Sequence, residues 1–310
     1  MKVDILDLDA FTALEPYDIE GYLLHNAWQR ERSEPGQVSV WSKTNDGERY
    51  RVWLPLDYKL GDFVESIART VKTVAQAENR SQLSILEDLD TVAIGDVVRV
   101  RSFDELNKES STLPIYDGIS LLEQAKNLLT AAANSAHQVR PVHPAKQNNV
   151  VNDFVSNLRL GQTERGSYII KLVSPLQSKQ LSIPGIPAPI PFARDAVAEL
   201  LNALNALRAV SEDNFKRGRF IFELFEEAVQ DGVSANLCVA VLPQSGLSQY
   251  RPLEVAVSWS FKLEVPPKQP PTLLEIPAQY MRYIAEAARV FREKNPEPYQ
   301  ISGYVVALRK

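Results

Sequence analysis

Hydrophobic residues recur every three or four positions in several segments of the chain, and this spacing predicts amphipathic helices. The clearest example is residues 60–75, where the apolar positions share one face of a helix. Asp62 is followed three residues later by Glu65, a pair that predicts a capping-box-like start for this helix. Further helices are predicted over residues 17–28, 121–132, 150–160, 197–207, 215–229, 234–242 and 276–291.

Apolar and polar residues alternate in other segments, as they do in strands that bury one face. Strands are predicted over residues 37–41, 49–56, 96–101, 168–173, 253–259 and 300–308. The Asp46-Gly47 pair between the first two of these strands is typical of a two-residue hairpin turn.

The order of these elements predicts an α+β fold with a mixed β-sheet and flanking helices. A strand, a proline-bearing loop, a helix and a strand occur in both halves of the chain, so we expect two topologically similar lobes. Crossovers of this kind place neighbouring strands parallel, whereas the hairpin adds an antiparallel pair. The polar, proline-bearing segment 138–149 is the predicted boundary between an N-terminal lobe of residues 1–145 and a C-terminal lobe of residues 146–310.

The composition, 45% hydrophobic and 24% charged over 310 residues, is that of an ordinary globular protein. The formal net charge of −5 gives no overall attraction to phosphate backbones, which disfavours nucleic-acid binding but leaves a local basic patch open. No apolar run approaches the roughly 20 residues needed to cross a membrane. The first residues lack the pattern of a signal peptide, so we expect a cytoplasmic protein with no membrane contact.

The motifs of common catalytic and metal sites are absent from the sequence. It contains no G-x-x-x-x-G-K-[ST], G-x-G-x-x-G, H-E-x-x-H or G-x-S-x-G pattern. Cys238 is the single cysteine and lies in an apolar run, which excludes an internal disulfide and a cysteine-based zinc site. His137 and His143 are six residues apart, unlike the four-residue spacing of helical metal sites. We therefore expect no metal site and no cofactor.

The segment most suggestive of function is residues 159–167, where polar and charged side chains surround two glycines just before a predicted strand. An arginine in such a loop can present a planar fork to a phosphate or a carboxylate. The candidate ligand-binding residues here are Arg159, Gln162, Glu164, Arg165 and Ser167. The alternative is structural: a helix ends at Gly161, and the Arg and Glu side chains form ion pairs.

The run RLGQTERGSYIIKLVSP at residues 159–175, with ENRSQ at residues 78–82 and DVVRVR at residues 96–101, resembles an uncharacterised family of bacterial proteins. The resemblance implies a bacterial cytosolic origin. It implies no activity and no catalytic residue, because none is established for that family. Families of this kind often come from defence or mobile islands, so a role in antiviral defence is one expectation.

Residues 78–82 form a second polar segment, at the end of the longest predicted helix. Arg80 in this segment is a further candidate ligand-binding residue, since Glu78 and Arg80 could meet the 159–167 loop in one polar centre. The alternative is a helix terminus whose caps are satisfied locally.

The predicted hairpin is a candidate surface for protein contact. Alternation along residues 49–56 places Arg49, Arg51 and Trp53 on one face of the strand. Together with Trp41 they are the candidate protein-interface residues, because Trp and Arg are frequent in binding hot spots.

Three functions are consistent with these patterns. The one we favour is a non-catalytic binding or assembly protein that acts with a larger bacterial partner system, through a protein partner or self-association. The second is a binder of a nucleotide or another phosphate-containing ligand at the 159–167 loop. The third is a hydrolase whose active site is assembled from distant carboxylates and histidines.

Overall fold

The computed structural model of this chain describes residues 5–34, 37–92, 94–102, 113–161, 168–176, 190–243, 251–260, 263 and 271–296. The helices are α1 (Pro16–His25), α2 (Phe63–Ala77), α3 (Gln82–Val92), α4 (Ile115–His137), α5 (Asn149–Asn157), α6 (Phe192–Arg217), α7 (Phe222–Glu227), α8 (Ala235–Val241) and α9 (Met281–Lys294). The strands are β1 (Gln29–Glu34), β2 (Val38–Asn45), β3 (Glu48–Pro55), β4 (Gly95–Ser102), β5 (Arg159–Leu160), β6 (Ile170–Pro175), β7 (Leu253–Ser258) and β8 (Leu273–Ile276). The α+β class is confirmed, and the strand predicted at residues 300–308 lies outside the described residues.

The first sheet is a three-stranded antiparallel meander in the order β1-β2-β3. Asp46 and Gly47 join β2 to β3, and their positive φ angles of 50° and 81° form the predicted hairpin turn. One face of the sheet packs against α2, where Ile67 and Val71 share a hydrophobic core with Val52. The predicted helix is therefore confirmed, but the Asp62 side chain makes no capping hydrogen bond to its first turn.

The second sheet has five strands within the described residues, in the order β5-β6-β4-β7-β8. Every pairing within its described strands is antiparallel, whereas a mixed sheet with parallel neighbours was expected. For β4 and β6 the difference arises because two described helices, α4 and α5, lie between them instead of the single crossover helix of a parallel pair. In the connection from β4 to β6, α4 and α5 lead the chain out and back, so β6 enters the sheet beside β4 in the opposite direction.

In the part of the chain that the structure describes, buried side chains form two large hydrophobic cores. The first contains residues between Phe11 and Leu89, from the three-stranded sheet and α1–α3. The second contains residues between Val98 and Phe291, from one face of the five-stranded sheet and α4–α9. Residues of β4 and α4 thus pack with elements from the second half of the chain.

Two buried polar residues on α6 explain why the sequence predicted this helix to end near residue 207, whereas α6 continues to Arg217 and the next helix, α7, begins at Phe222. Ser211 and Asn214 are fully buried on α6 and interrupt its apolar spacing. The Ser211 hydroxyl donates to the Leu207 carbonyl at 2.6 Å, and the Asn214 amide oxygen accepts from the Ile221 backbone N–H at 2.5 Å. These bonds satisfy the two side chains inside one continuous helix.

Candidate functional site

The outward side of the three-stranded sheet carries the most function-like exposed surface in the described part of the chain. Alternation along β3 buries Val52 and Leu54 and leaves Arg49, Arg51 and Trp53 exposed, as the sequence predicted. The Trp53 side chain remains 58% exposed. An indole ring that remains in water adds little to the stability of the fold. Trp53 is therefore a candidate contact residue.

Glu31 on β1 fixes the positions of both arginines. Its carboxylate accepts from Arg49 Nη2 at 2.6 Å and from Arg51 Nε at 2.8 Å, and it also pairs with Arg51 Nη2. A hydrogen bond from Ser42 and those from the arginines lower the pKa of Glu31 to about 2. The Arg51 guanidinium lies 5.7 Å from the centre of the Trp53 ring. We call these four residues, Glu31, Arg49, Arg51 and Trp53, the outer face.

Trp41 does not belong to the outer face, which corrects the sequence-based set of interface residues. It is 1% exposed and lies in the first core. Its indole N–H donates to the Ser39 hydroxyl at 3.0 Å. Trp41 pairs with Val52 across the hairpin, and cross-strand partners point to the same side of a sheet. Its side chain therefore points inward with Val52, away from Trp53.

A groove runs beside the outer face, between β3 and α2. Its volume is about 410 Å³, and β3 contributes Arg51, Val52 and Trp53 to its wall. The other wall consists of Asp62, which precedes α2, and of the α2 residues Ser66, Arg69, Thr70 and Thr73. We call this feature the edge groove, because β3 is an edge strand among the described strands of its sheet.

The polar segment 78–82 is partly buried, and the Glu78 and Arg80 side chains in it belong to a hydrogen-bonded cluster. The Glu78 carboxylate accepts from Tyr22 Oη at 2.6 Å, from Trp28 Nε1 at 3.1 Å and from Lys43 Nζ at 3.4 Å. Burial and the neighbouring carboxylate raise the pKa of Tyr22 well above its ordinary value. Tyr22 thus stays a neutral donor to Glu78.

Arg80 continues this cluster towards the five-stranded sheet. Its Nη2 lies 2.7 Å from Asp88 Oδ2, and the other oxygen of Asp88 lies 2.9 Å from Arg99 Nη2 on β4. Arg99 in turn donates to the Ser258 hydroxyl on β7 at 2.7 Å. The chain of contacts from Glu78 to Ser258 links the three-stranded sheet to the five-stranded sheet. Arg80 is a predicted ligand-binding residue, and in the structure its guanidinium contacts the carboxylates of Glu78 and Asp88.

Of the five candidate ligand-binding residues in the 159–167 loop, only Arg159 lies in the described part of the chain. Arg159 is exposed on β5, where it pairs with Val173 of β6. Gly161 does not end a helix, as the structural alternative had it, because its backbone N–H donates to the Lys171 carbonyl at 2.8 Å and extends the β5–β6 pairing. The remaining candidates, Gln162, Glu164, Arg165 and Ser167, lie outside the described residues.

A serine and a histidine meet in the second core, but their hydrogen bonding is not that of a nucleophile and its base. Ser135 Oγ lies 3.1 Å from His143 Nε2 and donates its single proton to the Gly232 carbonyl at 3.1 Å. His143 must then donate to Ser135. Burial, with a smaller effect of Arg140, lowers the pKa of His143 to about 4, so the ring is neutral at pH 7. The hydrogen bonds of Ser135 join α4 to His143, in the segment after α4, and to Gly232, in the turn before α8.

The other reactive side chains are also buried or separated. Cys238 is fully buried, and burial raises the pKa of its thiol to about 12. His137 is exposed at the end of α4 and bonds Asn148 at 3.0 Å, whereas His143 is buried. Within the described ranges, no three His, Cys, Asp or Glu side chains are grouped so that they could hold a metal ion. No described helix is both long and apolar enough to cross a membrane.

A buried ion pair joins the start of α6 to the central strand β4. Arg194 Nε lies 2.8 Å from Asp96 Oδ2, and the side chains are 1% and 0% exposed. Ser260 bonds both partners: its N–H donates to Asp96 Oδ1 and its carbonyl accepts from Arg194 Nη2, each at 2.8 Å. The guanidinium lies 5.1 Å from the centre of the Trp259 ring. Burial raises the pKa of Asp96 to about 6 although Arg194 opposes the shift.

A second exposed surface lies on the first turns of α4. Ile115, Tyr116, Ile119 and Leu122 are exposed there, and three of them share one face of the helix. Their exposure makes this stripe a comparison surface for any test of protein contact.

Comparison with models of protein families, with curated proteins and with solved structures finds no match for this chain. The resemblance noted for residues 159–175 therefore stays an expectation.

Proposed function

We propose that this chain is a non-catalytic binding protein that contacts a partner protein through the outer face of its three-stranded sheet. The observation that carries the proposal is the exposed Trp53, held beside two arginines that one carboxylate fixes in place. Trp and Arg supply most of the energy of typical protein interfaces, whereas their neighbours mainly exclude water.

The rigidity of the outer face supports this role. Binding costs less when the contacting side chains are already ordered, because fewer rotamers are lost in the complex. Arg51 is held by Glu31 on one side and by the Trp53 ring on the other. A side chain of this length in solution would otherwise sample many conformations.

The proposal is tested by co-purification from cells that express the chain from its own gene, followed by affinity measurements with the recovered partner. The double variant with Arg49→Ala and Trp53→Ala should weaken partner binding about 30-fold or more, which is the loss expected if at least one of the two residues is a hot spot. Tyr17→Ala is the matched control, because Tyr17 is an exposed aromatic residue on α1, outside the outer face. It should leave binding unchanged.

Two results would contradict the proposal. The first is a partner whose affinity is the same for the double variant and the wild type. The second is a loss of binding with Tyr116→Ala on α4 while Trp53→Ala binds normally, since the contact would then lie on the α4 stripe. Self-association is covered by the same variants: a wild-type oligomer seen by sedimentation should become a monomer only when the outer face is changed.

A further inference from the structure

A small polar pocket opens where α8 packs against both α4 and α9, far along the chain from the outer face. We call it the α4–α8–α9 pocket, and its volume is about 200 Å³. Its polar lining comes from four segments: Asn127, Thr130 and Asn134 on α4, Gln147 just before α5, Asn236 on α8 and Arg292 on α9. The three α4 residues follow at three- and four-residue spacing, so they form one stripe along the helix.

Two hydrogen bonds within α4 leave acceptor atoms in this lining. The Asn134 side-chain nitrogen donates to the Thr130 carbonyl at 2.9 Å, which orients the amide. The Thr130 hydroxyl donates its one proton to the Lys126 carbonyl at 2.8 Å, so its oxygen can only accept a further bond. Among the described residues, no donor bonds to either side-chain oxygen. A ligand that uses these two acceptors must therefore carry hydroxyl or N–H groups.

The amides on the other walls differ in how firmly they are held. The Asn236 side chain accepts from the His143 N–H at 2.9 Å and donates to the His143 carbonyl at 3.3 Å, so it keeps one orientation. Asn127 and Gln147 are half-buried and make no hydrogen bond with a described residue. An amide of this kind can both donate to a ligand and accept from it.

Arg292 gives the pocket its charge. It is the one charged side chain in the described lining, and it forms no ion pair with a described carboxylate. Arg289, three residues earlier on α9, is instead paired with both Glu286 and Glu293. A guanidinium presents a planar fork that matches a carboxylate or a phosphate. An ammonium group would find no carboxylate in this lining to pair with, so the charge favours an anion.

The volume limits the size of that anion. A water molecule occupies about 30 Å³ in the liquid, so the pocket equals about seven water molecules. Pockets that enclose a drug-sized ligand start at about 300 Å³. A molecule of about six to ten non-hydrogen atoms therefore fits the α4–α8–α9 pocket, whereas a nucleotide is too large to be enclosed by it.

We propose that the α4–α8–α9 pocket binds a small organic anion that carries hydroxyl groups. Arg292 pairs with its carboxylate or phosphate, Thr130 and Asn134 accept hydrogen bonds from its hydroxyls, and Asn127 and Gln147 bond its remaining oxygens. This site does not depend on the proposed function, because it shares no residue with the outer face.

The experiment is an NMR titration of the full chain with malate and with glycerol phosphate, a hydroxycarboxylate and a phosphate ester of similar size. At least one of the two should bind with a Kd of about 1 mM or less, the range of small polar ligands. Erythritol, which has the hydroxyls without the charge, and inorganic phosphate, which has the charge without the carbon chain, should each bind at least about tenfold more weakly. Binding of malate alone or of glycerol phosphate alone supports the proposal and identifies the charged group.

Two variants place the binding in this pocket. Arg292→Gln should weaken anion binding about tenfold or more, because a charge-assisted hydrogen bond is lost, whereas its control Arg289→Gln should bind as the wild type does. Asn127→Tyr should fill the pocket from α4 and abolish binding, whereas Lys126→Tyr, exposed at the neighbouring position, should not. Circular dichroism establishes that the variants fold.

Three results would overturn the inference. The first is that neither anion binds to the wild type. The second is that Arg292→Gln or Asn127→Tyr binds the anion as tightly as the wild type, which would place the ligand elsewhere. The third is that inorganic phosphate binds as tightly as glycerol phosphate, since an exposed arginine alone would then account for the binding.

Discussion

Replacing Arg194 by methionine removes one half of the buried ion pair between α6 and β4, and we expect it to destabilise the fold strongly. The Asp96 carboxylate would be left without its guanidinium in a site that is 0% exposed, 2.8 Å from the lost Nε. Breaking one partner of a buried pair costs about 3–5 kcal/mol, because the remaining charge is not solvated. This cost includes the loss of the hydrogen bond that Arg194 Nη2 donates to the Ser260 carbonyl.

Protonation limits this loss and gives it a pH dependence. Burial already raises the pKa of Asp96 to about 6, and removing Arg194 removes the group that opposes this rise. The carboxyl of the variant is then neutral in the folded state at a higher pH than in the wild type. Because the pKa of Asp96 is lower in the wild type than in the variant, the folded wild type takes up this proton at a lower pH, so the difference in stability between the two proteins should be smaller at pH 5 than at pH 7.

The assay is urea unfolding followed by circular dichroism and tryptophan fluorescence, with Trp259 next to the substituted position. Arg217→Met is the matched control, an exposed arginine at the other end of α6, and should cost under about 1 kcal/mol. Combining Asp96→Leu with Arg194→Met should cost less than Arg194→Met alone, since no charge is left buried. A cost below about 1 kcal/mol for Arg194→Met, or a double variant as unstable as the two losses added, would refute this account.

Three further predictions concern other buried groups. Glu78→Leu leaves the buried donors of Tyr22 and Trp28, and the partly exposed Lys43, without their acceptor. It should lower the free energy of unfolding by about 3–5 kcal/mol in urea titrations, and a loss under about 1 kcal/mol would contradict the cluster. The folded pKa of His143, about 4, lies below its ordinary 6.5, so the unfolded chain takes up the proton first as the pH falls. Between pH 7 and pH 4 the wild type should therefore lose about 3 kcal/mol relative to His143→Gln, and equal slopes would argue against it. Gly95→Ala places a Cβ onto the Ser174 carbonyl oxygen and should cost about 1–3 kcal/mol in thermal unfolding, more than Gly61→Ala, whose Cβ meets nothing within 4 Å.

The elements predictable from the sequence were those whose burial follows a simple period. The α2 helix and the β2–β3 hairpin have one apolar face each and a turn with a known chemistry. β1 has the sequence QRERSE, so nothing in its pattern predicts a strand, and its pairing with β2 is what defines it. The antiparallel order of the second sheet depends on helix packing between distant segments, which local patterns do not contain.

The candidate site was predictable in part for the same reason. The exposure of Arg49, Arg51 and Trp53 follows from alternation along one strand. The burial of Trp41 could have been predicted as well, because a two-residue turn at Asp46-Gly47 sets Trp41 opposite the inward Val52. The contacts of Glu31 with the two arginines could not be predicted, because Glu31 lies on β1, a strand that the sequence pattern does not predict.

The partners of the 78–82 segment are equally non-local. Glu78 receives hydrogen bonds from residues 35, 50 and 56 positions away in the sequence. Arg99 reaches Ser258 across 159 positions. Polar side chains with such distant partners can be recognised in a sequence as unusual, but their bonds depend on the finished fold.

Site-specific photo-crosslinking tests the central claim most directly. A photo-crosslinking phenylalanine derivative in place of Thr44, which is exposed on β2 opposite Arg49, lies beside the outer face without removing any of its four residues. Irradiation in cells that express the chain should give a covalent adduct with another polypeptide, whereas the same probe in place of Tyr17 on α1 should give none. No adduct at Thr44, or equal adducts at both positions, would contradict a binding role for the outer face.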